Sequence, residues 1–199
     1  GLSDDDWCYE RERQLNTRVL DLEFLVKKLR ILNLNKNAMF YHRFNLNNMA
    51  TIGHSYGGAT ALAYTLKHPT TMACVFLDGW IAPLNCLYRH TDTVHLQSAF
   101  LNLRQKKWDL TDRVQQLNDD LMLALKDSSQ HTYQKYVLEG TQHFDYSDTP
   151  IFSGLLGQWV GAVSSPNPQA EYLRMNQITL QFLNTHLKNK DVFYLSPFN

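Results

Sequence analysis

The sequence predicts an α/β fold built on a mostly parallel sheet, and three observations predict it. Short apolar runs of strand length (49–52, MATI; 72–77, MACVFL; 95–103, HLQSAFLNL; 133–138, YQKYVL) alternate with stretches of helical periodicity. Strands that alternate with helices pair in parallel, because each crossover helix returns the chain to the same edge of the sheet. The 199 residues suit one domain, and a composition 44% hydrophobic and 12% aromatic supplies its core.

The elements follow in order. Leu15, Val19, Leu22, Val26 and Leu29 recur every three to four residues with charges between them, which predicts an amphipathic helix over 5–32. The polar, asparagine-rich stretch NLNKNAMFYHRFNLNN reads as a loop leading into the strand 49–52. GGATALAYTLKH is helical in composition and stops at Pro69, and the strand 72–77 ends in Asp78-Gly79. Beyond the third strand come a helix over 108–125 and the fourth strand. A short helical stretch then places Phe152, Leu155, Leu156, Trp159, Val160 and Val163 on one face, and a long helix covers 169–188. The apolar face of 152–163 either packs on the sheet or lies at a lipid surface, although its polar side lacks the Lys/Arg richness of interfacial helices.

Composition excludes several classes of function. Nineteen basic residues balance nineteen acidic ones, so no net field attracts nucleic acid. No apolar run approaches the roughly 18 residues of a membrane span. The start GLSDDDWCYERER is too polar and acidic for a signal peptide. Cys8, Cys74 and Cys86 lack C-x-x-C spacing, so neither a thiolate metal site nor a redox pair is expected. Their odd number suggests an interchain bridge if the protein is secreted.

Gly53-His54-Ser55-Tyr56-Gly57 fits G-x-S-x-G. Chance alone produces that pattern in roughly one chain of this length in fifteen, so context must decide between a nucleophile and a turn serine. A buried strand ends directly before it and an Ala-rich helix begins directly after it, which is the strand–turn–helix context of a nucleophile elbow. There, flanking glycines spare the backbone from Cβ collisions, and the Tyr56 amide at the helix N-terminus can stabilise an oxyanion. A serine nucleophile needs a base and an orienting carboxylate, in the chain order Ser, acid, His. Asp78 closes the second strand, where it is either that carboxylate or a turn cap. Of eight histidines, topology selects His143, just past the fourth strand in EGTQHFDYSD.

GHSYGGATAL, FLDGWIAPL and EGTQHFDYSD together resemble the platelet-activating factor acetylhydrolases, the serine-dependent group VII phospholipases A2 with an α/β-hydrolase fold. That family's elbow reads GHSFGGAT, and its acid lies in LD-x-W-x-x-P-L on the strand directly after the elbow helix. Here Asp78 follows Ser55 by 23 residues, and Trp80 and Pro83 keep the pattern. The resemblance implies a cofactor-free, calcium-independent hydrolase, with no metal, that removes short or oxidised sn-2 acyl chains from phospholipids. Ser55, Asp78 and His143 would form the triad, and Trp80, Phe152 and Trp159 are candidates for pocket or lipid contact.

The resemblance covers the C-terminal half of the family's domain: residues 1–199 form one half domain, with a helix at 1–32 and the core portion at 49–199. The strands preceding the elbow are absent from the sequence, as is the loop that supplies a second oxyanion donor. The elbow strand would then present an open apolar edge. A second polypeptide carrying the N-terminal half is therefore expected. Gly1 is then a new terminus made by cleavage of a precursor rather than a cloning remnant, and Cys8 a candidate interchain bridge. Secretion is the compartment expected, with the cytoplasm as the alternative. The competing functional class is a non-catalytic binding, toxin or structural subunit, and within enzymes an esterase acting on another substrate.

Overall fold

Four strands, β1 (Ala50–His54), β2 (Ala73–Leu77), β3 (Ala99–Gln105) and β4 (Tyr133–Leu138), form one parallel sheet in the order β1-β2-β3-β4. The structure is a computed structural model that describes residues 3–88, 95–106, 112–128, 132–163 and 167–188. Its helices are α1 (Asp4–Leu34), α2 (Tyr56–Lys67), α3 (Ala82–Tyr88), α4 (Asp112–Ser128), α5 (Thr149–Trp159) and α6 (Pro168–Lys188), and a 3-10 turn spans His143–Tyr146.

Each crossover steps across the sheet in the same direction, and successive parallel connections share one hand, so α2, α3 and α4 fall on the same face. Against them β2 and β3 present Cys74, Phe76 and Phe100, with the Phe76 and Phe100 rings edge to face at 4.9 Å. Leu15 and Val19 of α1 close this core from outside. The opposite face, Ala73, Val75, Ala99, Leu101 and Leu103, is covered by Met175 and Phe182 of α6 and by Tyr146. With layers on both sides, Ala73, Cys74, Val75 and Phe76 are all buried, which is why this strand reads as a continuous apolar run rather than an alternating one.

Several boundaries differ from the sequence reading. The third strand begins at Ala99 rather than His95, because β2 itself begins at Ala73, opposite Ala99, and leaves residues 95–98 no strand to pair with. The stretch after Asp78-Gly79, to which the sequence reading assigns no helix, turns into α3 at Ala82. The fourth helix starts at Asp112 among the described residues, and the expected start at 108–111 lies outside them.

Cys8 is not available for an interchain bridge. It is bonded to Cys86 within the chain, tying the second turn of α1 to α3, while Cys74 remains a free, buried thiol whose burial pushes its pKa up to about 11. The odd cysteine is thus an inert core residue, and the two that pair lie 78 residues apart in sequence.

The two sides of the sheet's first strand differ sharply. β1 has β2 on one side and no partner strand on the other among the described residues, and Ile52 at its centre is 53% exposed. Along α1, the flank opposite the buried Leu15 and Val19 leaves Leu20, Phe24, Leu25, Ile31 and Leu34 exposed. The apolar face of α5 does not pack on the sheet either: Phe152, Leu155 and Trp159 are 81%, 87% and 83% exposed, and of the predicted face only Val163 is buried.

The turn between β1 and α2 shows which glycines sterics require. A Cβ on Gly53 would lie 2.0 Å from the Gly57 carbonyl oxygen, and one on Gly58 would lie 2.9 Å from the Gly79 Cα. A Cβ on Gly57 meets nothing within 4 Å, so the expectation that both glycines of G-x-S-x-G are sterically obligatory holds for Gly53 alone; Gly58 carries the second close approach. Gly53→Ala should therefore cost about 3 kcal/mol or prevent folding, since backbone cannot yield as a flexible side chain does, whereas Gly57→Ala should be neutral or stabilising by up to about 1 kcal/mol; urea unfolding of both variants reads the contrast. Reduction of Cys8–Cys86, or Cys86→Ser, should lower stability by about 4 kcal/mol for a closed loop of this length, seen as a lower thermal midpoint in the presence of reductant.

Candidate active site

The parallel register brings the chemistry-bearing residues to one edge. His54, Leu77 and Leu103 stand in one row, and Gln105 pairs with Leu138, so the residues that follow the strands emerge side by side at their carboxyl ends. In open parallel α/β sheets this edge is where ligands bind.

Ser55 sits between β1 and α2 with φ 54° and ψ −126°, a left-handed backbone that a side chain disfavours. It occupies the N-cap position yet its hydroxyl makes no capping hydrogen bond, which removes the ordinary reason for a serine there. Its backbone is fixed instead: the Ser55 N–H donates to the Leu77 carbonyl at 3.2 Å, and the Ser55 carbonyl accepts from Gly58 at 2.9 Å and from Trp80 at 2.9 Å. The Tyr56 amide lies in the first turn of α2, where N–H groups have no intrahelical acceptor.

Asp78 also has positive φ, 46°, and is fully buried. A carboxylate taken out of water must be met by donors, and three are present. The Gln105 backbone N–H donates to Oδ1 at 3.0 Å, the Gln105 side-chain Nε2 to Oδ2 at 2.8 Å, and His143 Nδ1 to Oδ2 at 2.6 Å. Because a carboxylate only accepts, Nδ1 carries the hydrogen, and in the neutral ring Nε2 is then the basic nitrogen. His143 is 29% exposed at its side chain, so the ring spans from a buried anion to solvent.

The loop that presents His143 is held by its own hydrogen bonds. Thr141 Oγ1 donates to the Leu138 carbonyl at 2.8 Å and lies 3.0 Å from the Tyr146 hydroxyl, whose ionisation burial pushes far up. Gln142 N–H donates to the buried Asp145 carboxylate at 2.7 Å, closing a capping box over the 3-10 turn.

Trp80 is half-buried beside the elbow turn. It packs edge-on against Tyr56 at 5.7 Å and Trp7 at 6.3 Å, with the Arg11 guanidinium 5.3 Å from its ring. Tyr56 in turn donates its hydroxyl to the Arg11 carbonyl at 3.1 Å, so aromatic residues just after Ser55 and after the buried Asp78 are both braced by α1. Phe152 and Trp159 stand on the exposed face of α5.

The sequence reading named Ser55, Asp78 and His143, and the structure joins Asp78 to His143 directly and Ser55 to the same edge. It missed Gln105, because the third strand was ended at Leu103, two residues early. Topology did not select His54, yet its ring lies 4.5 Å from that of His143. His68 pairs with Glu23 and His186 packs on Phe182, as ordinary structural histidines do. His90 and His131 lie outside the described residues. Among the described residues no three His, Cys, Asp or Glu side chains gather to hold a metal ion.

The chain resembles known proteins in sequence and in fold. It is 25% identical over 147 residues to a platelet-activating factor acetylhydrolase of Gallus gallus, a match covering 73% of this chain and 32% of that protein. The chain thus spans about a third of the length of the curated relative it matches. In structure it superposes on a ferulic acid esterase from Streptomyces cinnamoneus with a TM-score of 0.65 and 18% identity, over 95% of this chain and 53% of that one, which is a likeness of fold. The family model described as "Platelet-activating factor acetylhydrolase, isoform II" matches residues 12–194, nearly the whole length. With the elbow, the buried acid and the histidine at one sheet edge, this chain belongs to the platelet-activating factor acetylhydrolase family.

Proposed function

We propose that the protein is a serine hydrolase that cleaves the sn-2 acyl ester of phospholipids carrying short or oxidised chains. One observation carries the reading above all: His143 is held to a buried, fully satisfied Asp78 carboxylate at the edge where Ser55 occupies a strained turn with an uncapping hydroxyl. Strain and a buried acid–histidine pair are what a nucleophilic mechanism requires and what a turn serine does not.

In this reading His143 Nε2 takes the Ser55 Oγ proton as Oγ bonds to the ester carbonyl carbon. The carbonyl electron pair moves to its oxygen, which the Tyr56 N–H stabilises. Collapse returns the pair and breaks the bond to the glycerol oxygen, which leaves with the proton from His143. Water then attacks the acyl-enzyme, gives its proton to His143, and releases the carboxylic acid as Oγ recovers its own. Asp78 keeps its charge throughout and stabilises the imidazolium.

Treatment of the intact protein with a fluorophosphonate should label the wild type and leave Ser55→Ala unlabelled. Hydrolysis should fall by about 10³-fold or more when Ser55 or His143 is replaced by Ala, and a phospholipid with a two-carbon sn-2 chain should be cleaved faster than one with sixteen. Absence of labelling in the wild type would move the chain to the non-catalytic subunit reading. The exposed apolar face of α5 favours peripheral contact with a lipid surface, and the Cys8–Cys86 bond favours an oxidising compartment outside the cytosol.

The remaining strands of the sheet belong, in this proposal, to a second polypeptide that pairs along β1 and covers Ile52. Parallel strands are rarely left half solvated, and β1 has a free side among the described residues. Since Cys8 is used within the chain, the partner is held without a disulfide from it. The native protein should have a mass well above 23.1 kDa and resolve into two chains in SDS without reductant. A 23.1 kDa monomer in native solution sinks the idea, and one longer chain in SDS would place the same strands in cis.

A further inference from the structure

Two histidines face one another at the carboxyl edge of the sheet, and only one of them has a role in the mechanism above. His54 ends β1, directly before Ser55. Its Nε2 lies 2.9 Å from the backbone carbonyl oxygen of His143, and the two rings are tilted by 37° at a centroid separation of 4.5 Å. A carbonyl oxygen can only accept, so Nε2 carries the hydrogen and donates it.

His143 is consequently held at two points. Its Nδ1–H is fixed by the Asp78 carboxylate, which orients the ring, while its carbonyl is fixed by His54, which locates the backbone. Asp78 directly follows β2, but His54 is the last residue of β1, the strand that leads into Ser55. The clamp on the base and the proposed nucleophile are consecutive residues, so the span from Ser55 to His143 is set by one dipeptide and one hydrogen bond. The loop 139–142 does not have to set it alone.

We propose that His54 is a positioning residue that fixes His143 against Ser55 through the backbone carbonyl of His143 and the face of its ring. The proposal rests on the reading of Ser55 as nucleophile and His143 as base. The protonation state of His54 agrees with the geometry. Burial first, and the facing His143 second, hold its pKa below the usual histidine value, against smaller upward pushes from the bond to the His143 carbonyl and from Asp78. A neutral His54 keeps a donor on Nε2 and sets no positive charge against the imidazolium that forms on His143 in each half-reaction.

Three substitutions in the intact protein test this, each with two readouts. His54→Ala and His54→Asn remove the donor or shorten its reach, and His54→Gln places an amide N–H where the Nε2–H was. Fluorophosphonate inactivation and kcat are expected to fall by about 10- to 100-fold in the Ala and Asn variants, with KM within about two-fold, because small displacements of a catalytic group cost rate rather than binding. The Gln variant is expected to return to within about three-fold of wild type. The second readout is the low-field proton NMR signal of His143 Nδ1–H bonded to Asp78, which requires no chemistry at Ser55. It should persist in wild type and His54→Gln and broaden or vanish in His54→Ala and His54→Asn.

Wild-type rate and an intact signal in His54→Ala overturn the proposal. So does a Gln variant that folds, by its thermal transition, yet is as slow as the Ala variant with the signal lost. If wild type does not react with the probe while the NMR pattern follows the expected order, the nucleophile reading fails and the positioning role of His54 stands.

Discussion

A single buried anion organises the functional edge of this molecule. Asp78 has lost its hydration, and the free energy of keeping a charge there is recovered only if donors converge on both oxygens. That requirement dictates where β3 must end, since Gln105 supplies two of the donors from its backbone and its side chain. It also dictates where the chain after β4 must return, since His143 supplies the third. The positive φ of Asp78, and the close approach of Gly58 to Gly79, are local costs of bringing that carboxylate beside the Ser55 turn.

The rest of the fold serves as a rigid mount for this arrangement. The parallel register sets four strand ends in a row, and the three crossover helices on one face, opposed by α6 on the other, keep those ends from sliding. Strain concentrates where the mount meets the site. Among the described residues three non-glycine positions have positive φ, and two of them are Ser55 and Asp78. The third, His42, lies in the loop between α1 and β1, and nothing in the structure explains it.

Much of this was legible in the sequence because it rests on local signals. Apolar runs of strand length fixed all four strands to within a few residues, and the elbow and the Asp-Gly turn announced themselves through glycine. What escaped depends on contacts between distant segments. Gln105 was hidden because strand ends are set by the partner strand rather than by the residues themselves. The pairing of Cys8 with Cys86 needed the knowledge that α1 crosses α3, which no spacing encodes. His54 was passed over since a side chain's direction after a strained turn is not a property of its neighbours in sequence. Gly57 went the other way: the motif invited a steric role that, in space, belongs to Gly53 and Gly58. The sequence leaves the packing of α5 open between two readings as well, because an apolar face shows what a helix could bury and not what stands opposite it.

The Cys8–Cys86 bond also changes what a break in the chain would mean. The asparagine-rich loop between α1 and β1 runs over the surface, and exposed loops of this kind are where proteases cut first. A cut there severs the peptide but not the molecule, since α1 stays bonded to α3 and keeps Trp7 and Arg11 against Trp80. The helix that braces the Asp78 and Ser55 turns is therefore attached to them twice, once by the backbone and once by sulfur. Its attachment would outlast the continuity of the chain itself.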